Sequence, residues 1–289
     1  MLEKNILKLN KIYNEDCIVG MKRIPDKTID AIVTDPPYGY LNHKLDANFD
    51  EDAVFREWDR ILKDDGFLVL FGRGESFYRW NYKLNQLGFK FKEEIIWNKR
   101  YSSSPVLPVQ RFHETVTILS KKGKIRKVRV PYLQAREFDL DKMQQDLKRV
   151  VSGLGNTKSL LAMKHFLMTN ERIFDEEYSG RHNVTVDKSL RQEDRAATIL
   201  TAFEQGLRET SIITEKRDNR KDIVHPTQKP VALMERLINL VSDQGSTILD
   251  PFSGSSSTLL AAKLADRNFI GFEIDKEYFD ISVKRIQDS

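Results

Sequence analysis

The chain has 289 residues, 40% of them hydrophobic and 31% charged, a composition typical of folded globular proteins that excludes fibrous and disordered classes. Its only cysteine, Cys17, excludes an intramolecular disulfide and a multi-cysteine zinc site, and its five histidines lack ligand spacing, so we expect no metal. The charged N-terminus and the lack of a long apolar run predict a cytoplasmic protein without a signal peptide or a membrane span. A net charge of +4 is compatible with nucleic-acid binding but does not establish it.

Short apolar runs along the chain predict buried parallel strands. These strands are predicted at residues 31–33, 67–71, 94–97, 116–119, 247–249 and 269–272. Helical patterns separate most of them, including residues 53–62, 78–87, 231–241 and 258–265. This alternation predicts an α/β fold with a doubly wound, mostly parallel sheet.

The middle of the chain, residues 121–224, interrupts this alternation with short, charged, helix-prone stretches. It holds 22 lysine and arginine residues against 16 acidic ones, so the net positive charge of the chain is concentrated here. Its leading edge, residues 121–129, carries six basic residues and no acidic one. One interpretation is a solvated hairpin or linker. The other is a surface that follows a phosphate backbone and releases its counterions.

The motif Asp35-Pro36-Pro37-Tyr38 directly follows the first predicted strand. Neither proline has an N–H group, and residues before proline are extended, so the loop is stiff and offers backbone acceptors without donors. It lies at the carboxyl end of a strand, the edge at which open α/β sheets bind ligands. The exocyclic amino group of a base needs such acceptors, here the Asp35 carboxylate and the Pro36 carbonyl, with Tyr38 stacking on the ring. A paired base is inaccessible, so this chemistry implies base flipping; the alternative is a proline-rich turn without a function.

A second loop, from Asp250 to Ser255, follows the predicted strand 247–249 and precedes the predicted helix 258–265. Gly254 permits a tight turn or a close approach of the backbone. Glu273 ends the next strand, 19 residues after Gly254, a distance suited to accepting hydrogen bonds from ribose hydroxyls. The single glycine does not match the dinucleotide fingerprint, so the loop favours a nucleoside without a pyrophosphate.

A third segment, His225-Pro226-Thr227-Gln228-Lys229-Pro230, opens the predicted helix 231–241. Pro230 suits a first helical turn, and the positive end of the helix with Thr227 and Lys229 is suited to hold a carboxylate. An ordinary helix start is equally compatible with these residues. Residues 97–100 end a neighbouring strand, and we expect them to border the same pocket.

Taken together, these motifs resemble the beta class of DNA amino-methyltransferases, in which the catalytic loop precedes the loop that binds S-adenosylmethionine (SAM). The similarity rests on TDPPYG (34–39), HPTQKP (225–230) and DPFSGSSST (250–258) in this order, with NEDC (14–17) and FIGFEID (269–275) beside them. It covers residues 10–122 and 223–289. The resemblance implies a Rossmann-like, SAM-dependent methyltransferase fold with a circularly permuted motif order and methylation of adenine N6 in duplex DNA.

The resemblance also implies an organisation and a set of site residues. Residues 1–122 would form the catalytic half, 123–222 an inserted target recognition region and 223–289 the SAM-binding half. The catalytic residues would be Asp35, Pro36, Pro37 and Tyr38. The cofactor would contact Asp16, Cys17, Asp35, Thr227, Lys229, Asp250, Phe252, Ser253, Gly254, Ser255 and Glu273. Double-stranded DNA, bound by a homodimer, would contact His43, Lys44, Arg100, Lys122, Lys124, Arg126, Lys127 and Arg129.

Three alternatives and one departure from the family pattern remain at this point. Cytosine N4 methylation uses the same chemistry, although a serine in place of Asp35 would be typical of it. A glutamine-N5 protein methyltransferase would begin its motif with asparagine and would have the reverse motif order. A non-catalytic DNA-binding regulator on the same scaffold is the third alternative. Ser256 stands where the family usually has a second glycine, a change that affects the turn or the affinity for SAM.

Overall fold

The computed structural model describes residues 7–39, 49–101, 108–137, 139–154, 199–219 and 223–289. Two sheets are formed in this part of the chain. In chain order their strands are β1 (Lys11–Tyr13), β2 (Ile29–Thr34), β3 (Leu62–Gly72), β4 (Lys90–Asn98), β5 (His113–Ser120), β6 (Arg129–Val130), β7 (Leu207–Arg208), β8 (Ile212–Thr214), β9 (Thr247–Asp250) and β10 (Asn268–Phe272). The larger sheet has eight strands in the order β1-β10-β9-β2-β3-β5-β4-β8, and β6 pairs with β7 separately.

Most neighbouring strands of the eight-stranded sheet are parallel, which confirms the predicted mostly parallel α/β fold. The expectation that residues 116–119 form a parallel strand was wrong, because β5 runs antiparallel to both β3 and β4. Asn98 at the end of β4 pairs directly with His113 at the start of β5, the arrangement of two consecutive antiparallel strands.

The helices are α1 (Cys17–Met21), α2 (Glu51–Ile61), α3 (Gly74–Gln86), α4 (Tyr132–Arg136), α5 (Leu140–Leu154), α6 (Val231–Val241), α7 (Ser257–Leu264) and α8 (Lys276–Gln287), and residues 199–205 are also helical. Helix α2 begins where the Asp50 side chain accepts a hydrogen bond from the Ala53 backbone N–H at 2.9 Å. Helix α6 has the predicted bounds. Helix α3 begins four residues before the predicted start, since Arg73 provides no side-chain cap that the sequence could reveal.

Inside the large sheet β2 pairs with β9, and the two strands come from opposite ends of the chain. From β2 the chain continues to β3 on one side, and from β9 it continues to β10 on the other. This reversal is a topological switch point, where a crevice opens at the carboxyl ends of the strands. A buried cluster of apolar side chains that includes Trp58, Trp80 and Phe272 packs beside these strands.

The chain divides into two compact units, Met1–Arg126 with Thr210–Ser289, and Lys127–Glu209. The second unit contains the β6–β7 pair and its own small apolar core, formed by Tyr132, Val150, Ile199, Ala202 and Phe203. It falls within the segment 123–222 that the sequence analysis assigned to target recognition. None of the helices in the described part of the chain has the length and apolar character needed to cross a bilayer.

Candidate active site

The loop after β2 places the Asp35 carboxylate in a hydrogen-bonded network. The Tyr38 hydroxyl donates to Asp35 Oδ1, and the Lys229 ammonium donates to Asp35 Oδ2. Lys229 lies just before α6, 194 residues further along the chain. Lys229 is a predicted cofactor residue, and in the structure its Nζ contacts the predicted catalytic carboxylate.

Two further charged residues extend this network. Lys229 Nζ lies 3.3 Å from Glu114 Oε2 on β5, and Lys99 Nζ donates to Glu114 Oε1 at 3.2 Å. The ammonium groups are deeply placed, since the side chain of Lys229 is 10% exposed and that of Lys99 is 5% exposed. Lys229 Nζ also lies 5.0 Å from the centroid of the Phe71 ring. The network therefore contains two carboxylates and two ammonium groups.

Burial and pairing act against each other in this network. Burial raises the pKa of Asp35 above its ordinary value, and Lys229 opposes this shift. Burial lowers the pKa of Lys229, but the carboxylates of Asp35 and Glu114 outweigh it, so the pKa of Lys229 is raised. Burial raises the pKa of Glu114, but Lys229 and Lys99 outweigh it, so the pKa of Glu114 is lowered. Lys229 is thus held in its charged form between the two carboxylates.

Aromatic rings line the side of this loop. The Tyr38 ring lies 5.8 Å from the Trp80 ring, which is also 5.8 Å from the Phe49 ring. Phe49 in turn lies 5.1 Å from Phe252 in the loop after β9. The aromatic group connects the Asp35 loop to the Asp250 loop through direct ring contacts, each centroid distance within the range typical of favourable ring pairs.

Asp250 ties the two strand ends together at the switch point. Its Oδ1 accepts hydrogen bonds from Thr34 Oγ1 at 2.9 Å and from the Phe252 backbone N–H at 3.1 Å. It has a relative exposure of 3%, and its burial, with only neutral donors to oppose it, raises the pKa of Asp250 to about 6. The ends of β2 and β9, which border the expected ligand crevice, are therefore joined by a direct hydrogen bond.

The loop after Asp250 is held from two directions. Gly254, at a φ of +49°, donates its backbone N–H to Glu273 Oε2 at 2.8 Å. The Ser282 hydroxyl donates to the Gly254 carbonyl at 2.6 Å, and Arg285 Nη1 donates to the Ser255 carbonyl at 2.9 Å. Helix α8 therefore supports this loop, a contribution that the sequence analysis did not identify.

Ser256 adopts a backbone conformation that favours glycine. Its φ is +58° and its ψ is 33°, and it is the residue before the first turn of α7. Its side chain is fully buried, and its hydroxyl has no hydrogen-bond partner among the residues that the structure describes. This explains physically why a glycine suits the position: the left-handed conformation and a buried, unpaired hydroxyl both cost free energy.

The residues around this loop fit SAM. Glu273 is 8% exposed, and its two oxygens accept one backbone N–H each, from Gly254 and from Asp275, both at 2.8 Å. A carboxylate has about four acceptor sites, so capacity remains for two ribose hydroxyls. The Asn14 side chain donates a hydrogen bond to the Glu273 carbonyl at 2.8 Å. The turn predicted to contact the adenine of SAM therefore lies next to the residue predicted to bind its ribose.

The remaining predicted cofactor residues lie at the start of α1 and in the segment before α6. Asp16 Oδ1 caps α1 by accepting from the Ile18 and Val19 backbone N–H groups, and Cys17 is buried beside it. The Thr227 hydroxyl lies 3.1 Å from His225 Nδ1. The His225 ring faces Gly254, since a Cβ built on this glycine would lie 3.5 Å from the ring. The three predicted motifs are therefore brought together at one edge of the sheet.

The predicted DNA-contacting residues are less uniform. Lys122 donates to Asp64 at 2.8 Å, Arg126 pairs with Asp243 at 2.7 Å, and Arg129 donates to the Gly206 carbonyl at 2.8 Å. The basic run thus makes contacts within the chain, while Lys124 and Lys127 are exposed to solvent. Arg100 is exposed and has a φ of +65°. His43 and Lys44 lie outside the described residues.

Comparison with known proteins decides the family. A model of the N6/N4 methyltransferases, described as DNA methylase, matches residues 29–284. The chain belongs to this DNA methylase family. It is a SAM-dependent DNA amino-methyltransferase, so the predicted enzyme class, the methyl donor and the DNA partner are confirmed. The non-catalytic regulator and the glutamine-N5 protein methyltransferase are set aside.

Individual proteins are similar over nearly the whole chain. The Type II methyltransferase M.HinfI of Haemophilus influenzae is 28% identical, and the alignment covers 100% of this chain and 71% of that protein. The crystal structure of the M1.HpyAVI–SAM complex has a TM-score of 0.56 at 22% identity and covers 95% of this chain and 98% of that one. The cytosine-N4-specific PvuII DNA methyltransferase has a TM-score of 0.55 at 15% identity, with coverages of 98% and 92%. These structures share the fold of this methylase.

The structure also adds residues that the sequence analysis missed. Glu114 lies in the polar first part of β5, ahead of the buried run that marks the strand, so the apolar pattern does not single it out. Lys99 was expected to border the pocket, but its contact with Glu114 depends on the antiparallel pairing of β4 with β5. Acidic and basic residues near strand ends on the ligand edge of the sheet are the signal that would have found both.

Proposed function

We propose that this methylase transfers a methyl group from SAM to N6 of adenine in duplex DNA, after the adenine has flipped out of the helix. The observation that carries the proposal is the position of the Asp35 carboxylate at the switch point, next to the Asp250 strand end and the loop that fits SAM. A donor-rich amino group arriving there would meet a carboxylate and proline carbonyls, with no N–H from Pro36 or Pro37 to compete.

Each residue of the catalytic motif has a role in this proposal. The Asp35 carboxylate and the Pro36 carbonyl accept hydrogen bonds from the amino group and thereby orient its lone pair. The Pro37 ring stiffens the loop, and the Tyr38 ring stacks on the base while its hydroxyl holds Asp35. SAM, when bound, supplies an electrophilic methyl group. Orientation of the amino group then provides most of the reduction in the barrier, and no covalent intermediate with the protein is required.

The cofactor side follows the same assignment. Phe252, Ser253, Gly254 and Ser255 would hold the methionine and ribose portion of SAM, with Asp250 fixing their turn. Glu273 would accept from the ribose hydroxyls, and Asp16 and Cys17 would border the adenine. Thr227 and Lys229 would lie near the methionine carboxylate. Calorimetric titration with SAM tests this set, and we expect Glu273→Ala to weaken binding more than Thr227→Ala, because a charge-assisted pair of hydrogen bonds is lost.

The identity of the modified base is tested directly. The protein is incubated with SAM carrying a labelled methyl group and with unmethylated plasmid DNA, and the nucleosides are separated by mass spectrometry after digestion. We expect N6-methyladenine. The structural similarity to a cytosine-N4-specific enzyme makes N4-methylcytosine the second candidate, and its exclusive appearance would contradict the adenine assignment.

We also propose that residues 123–222 select the DNA target and that the enzyme acts on duplex DNA as a homodimer. The concentration of basic residues in this segment and the exposure of Lys124 and Lys127 support a phosphate-contacting role. Replacing both lysines with glutamate should weaken DNA binding. It should also make the slope of log K against log salt concentration shallower by about 2, because two phosphate contacts are lost. Light scattering tests the dimer, and sequencing of methylated bases reveals the target sequence.

A further inference from the structure

Both oxygens of the Asp35 carboxylate are engaged in the structure. Tyr38 donates to Oδ1 and Lys229 donates to Oδ2. The proposed function, on which this inference rests, requires the same carboxylate to accept a hydrogen bond from the amino group of the base. The carboxylate has further acceptor sites, but an ammonium held on Oδ2 offsets the negative charge that would face the amino nitrogen, so methyl transfer is favoured when one of the two donors moves away. The Tyr38 hydroxyl belongs to the same rigid loop, so Lys229 is the donor that is able to move.

Glu114 offers Lys229 a second position. Its Oε1 is fixed by Lys99, while its Oε2 is buried and forms an ion pair with Lys229 Nζ at 3.3 Å, without a well-aligned hydrogen bond from any described residue. A buried carboxylate oxygen is better satisfied by a close, aligned donor than by an ion pair at this distance. A small displacement of the Lys229 ammonium toward Glu114 would satisfy this oxygen and release Asp35 Oδ2.

We propose that Glu114 is a positioning residue of the methyl-transfer reaction, which receives the Lys229 ammonium when the target base binds to Asp35. The movement shifts the charge balance of the buried network without removing any charge from it. Lys229 then neutralises Glu114, and the negative charge of Asp35 faces the amino nitrogen, on which positive charge develops during methyl transfer. A fixed charge of the opposite sign at that place stabilises the transition state.

The decisive variant is Glu114→Gln, with Glu57→Gln as its control. Glu57 is buried to a similar degree, since 18% of its side chain is exposed against 26% for Glu114. It pairs with Arg60 and not with the Asp35 network. Single-turnover methylation is measured at saturating SAM and unmethylated plasmid DNA, and SAM and DNA affinities are measured separately. For E114Q we expect a rate at least about tenfold lower with affinities changed by less than about threefold, and for E57Q a normal rate.

The pH profile distinguishes positioning from a purely structural role. The charged and titratable groups around Asp35 are Tyr38, Lys229, Glu114 and, more remotely, Asp250. The negative charge of Glu114 raises the pKa of Asp35, so its loss in E114Q should move the acid limb of the single-turnover profile to lower pH. A structural defect would reduce the rate without moving this limb.

A double variant tests the blocking lysine itself. In E114Q the ammonium has no alternative position and stays on Asp35, so adding Lys229→Met to E114Q should reduce the rate by a smaller factor than Lys229→Met does in the wild type. If E114Q is not folded by circular dichroism, Glu114→Asp replaces it, since a shorter carboxylate keeps the charge but draws back from Lys229; it should be slower, with an unmoved acid limb.

The outcomes separate this inference from the proposed function. A wild-type rate in E114Q or E114D, or a loss in E114Q that is uniform over pH and additive with Lys229→Met, overturns the role of Glu114 and leaves the methylase assignment intact. Absence of adenine methylation by the wild-type protein overturns both.

Discussion

Two aspartates occupy equivalent places on neighbouring central strands, and their surroundings are opposite. Asp35 follows β2 and is paired with the Lys229 ammonium, whereas Asp250 ends β9 and receives hydrogen bonds from neutral donors. Burial raises the pKa of both carboxyl groups. At Asp35 the Lys229 ammonium opposes that shift, whereas at Asp250 neutral donors oppose it and the pKa is raised to about 6. The same residue type at the same edge of one sheet is thus prepared for two tasks.

The difference shows how a protein assigns chemistry to identical side chains. A carboxylate that must accept a hydrogen bond from an amino group has to be ionised, so it is given a movable cation. A carboxylate that holds two strand ends together needs only oxygen atoms that accept hydrogen bonds in the right directions. It does not need its negative charge, and burial makes that charge unfavourable. Four substitutions test this contrast, from the largest expected effect to the smallest.

Replacing Asp35 with alanine should have the largest effect. Because the amino group loses its charged acceptor, we expect methyl transfer to fall at least about 10³-fold. Single-turnover methylation of unmethylated DNA measures this rate. The variant should still bind SAM, since the SAM loop has its own supports in α8 and Glu273. Retention of more than a tenth of the wild-type rate would contradict the catalytic role of Asp35.

Replacing Lys229 with methionine should destabilise the fold. Asp35 and Glu114 would remain buried without their shared cation, a loss of about 4 kcal/mol in the free energy of unfolding. Urea denaturation measures it. Lys276→Met is the matched control, because Lys276 pairs with Asp280 on the surface, where both side chains are at least 60% exposed and the pair contributes less than about 1 kcal/mol. If Lys229→Met and Lys276→Met lose equal amounts of unfolding free energy, the buried network stabilises the fold no more than a surface ion pair does.

Replacing Asp250 with asparagine should remove a pH dependence. The folded-state pKa of about 6 lies above the ordinary value of 3.8, so the folded protein holds the extra proton in this range. The stabilising contribution of Asp250 to the free energy of unfolding is fully present below about pH 4. It is lost as the pH rises through about 6, a decrease of about 3 kcal/mol. Denaturation at several pH values should show a decrease that is larger by about 3 kcal/mol in the wild type and in Asp280→Asn than in D250N. A decrease of the same size in D250N would mean that Asp250 does not titrate there.

Replacing Ser256 with glycine should have the smallest effect and the opposite sign. The substitution removes a left-handed non-glycine residue and an unpaired buried hydroxyl, so the free energy of unfolding should increase by about 1 kcal/mol. Ser255→Gly is the control and should decrease it, since Ser255 has no positive φ to relieve. A loss of stability in S256G would show that the serine makes a contact that outweighs its strain.

The sequence was sufficient for features whose signals are local. Apolar runs followed by Asp35 or Asp250 identify a strand and the loop after it, and the proline-led start of α6 marks a helix with its observed bounds. The sequence also indicates that position 256 suits a glycine, because Ser256 stands where related loops usually have their second glycine. Such features depend on neighbours a few residues away, where chain geometry restricts the alternatives.

The features that the sequence did not reveal depend on pairing between distant segments. The direction of β5 follows from its pairing with β3 and β4, and the apolar run itself is the same for either direction. Glu114 lies beside Lys229 only because β5 inserts between these strands, and the two residues are more than a hundred positions apart. Which charged side chain meets which is therefore a property of the assembled sheet.

The hydrogen bond between Thr34 and Asp250 has a consequence for biosynthesis. It joins residues 216 positions apart, an interval that a ribosome needs about 10 to 40 s to translate. During that interval β2 has β3 on one side and an unpaired edge on the other, because β9 does not yet exist. The nascent chain must therefore keep this edge of β2 from pairing wrongly until β9 has emerged.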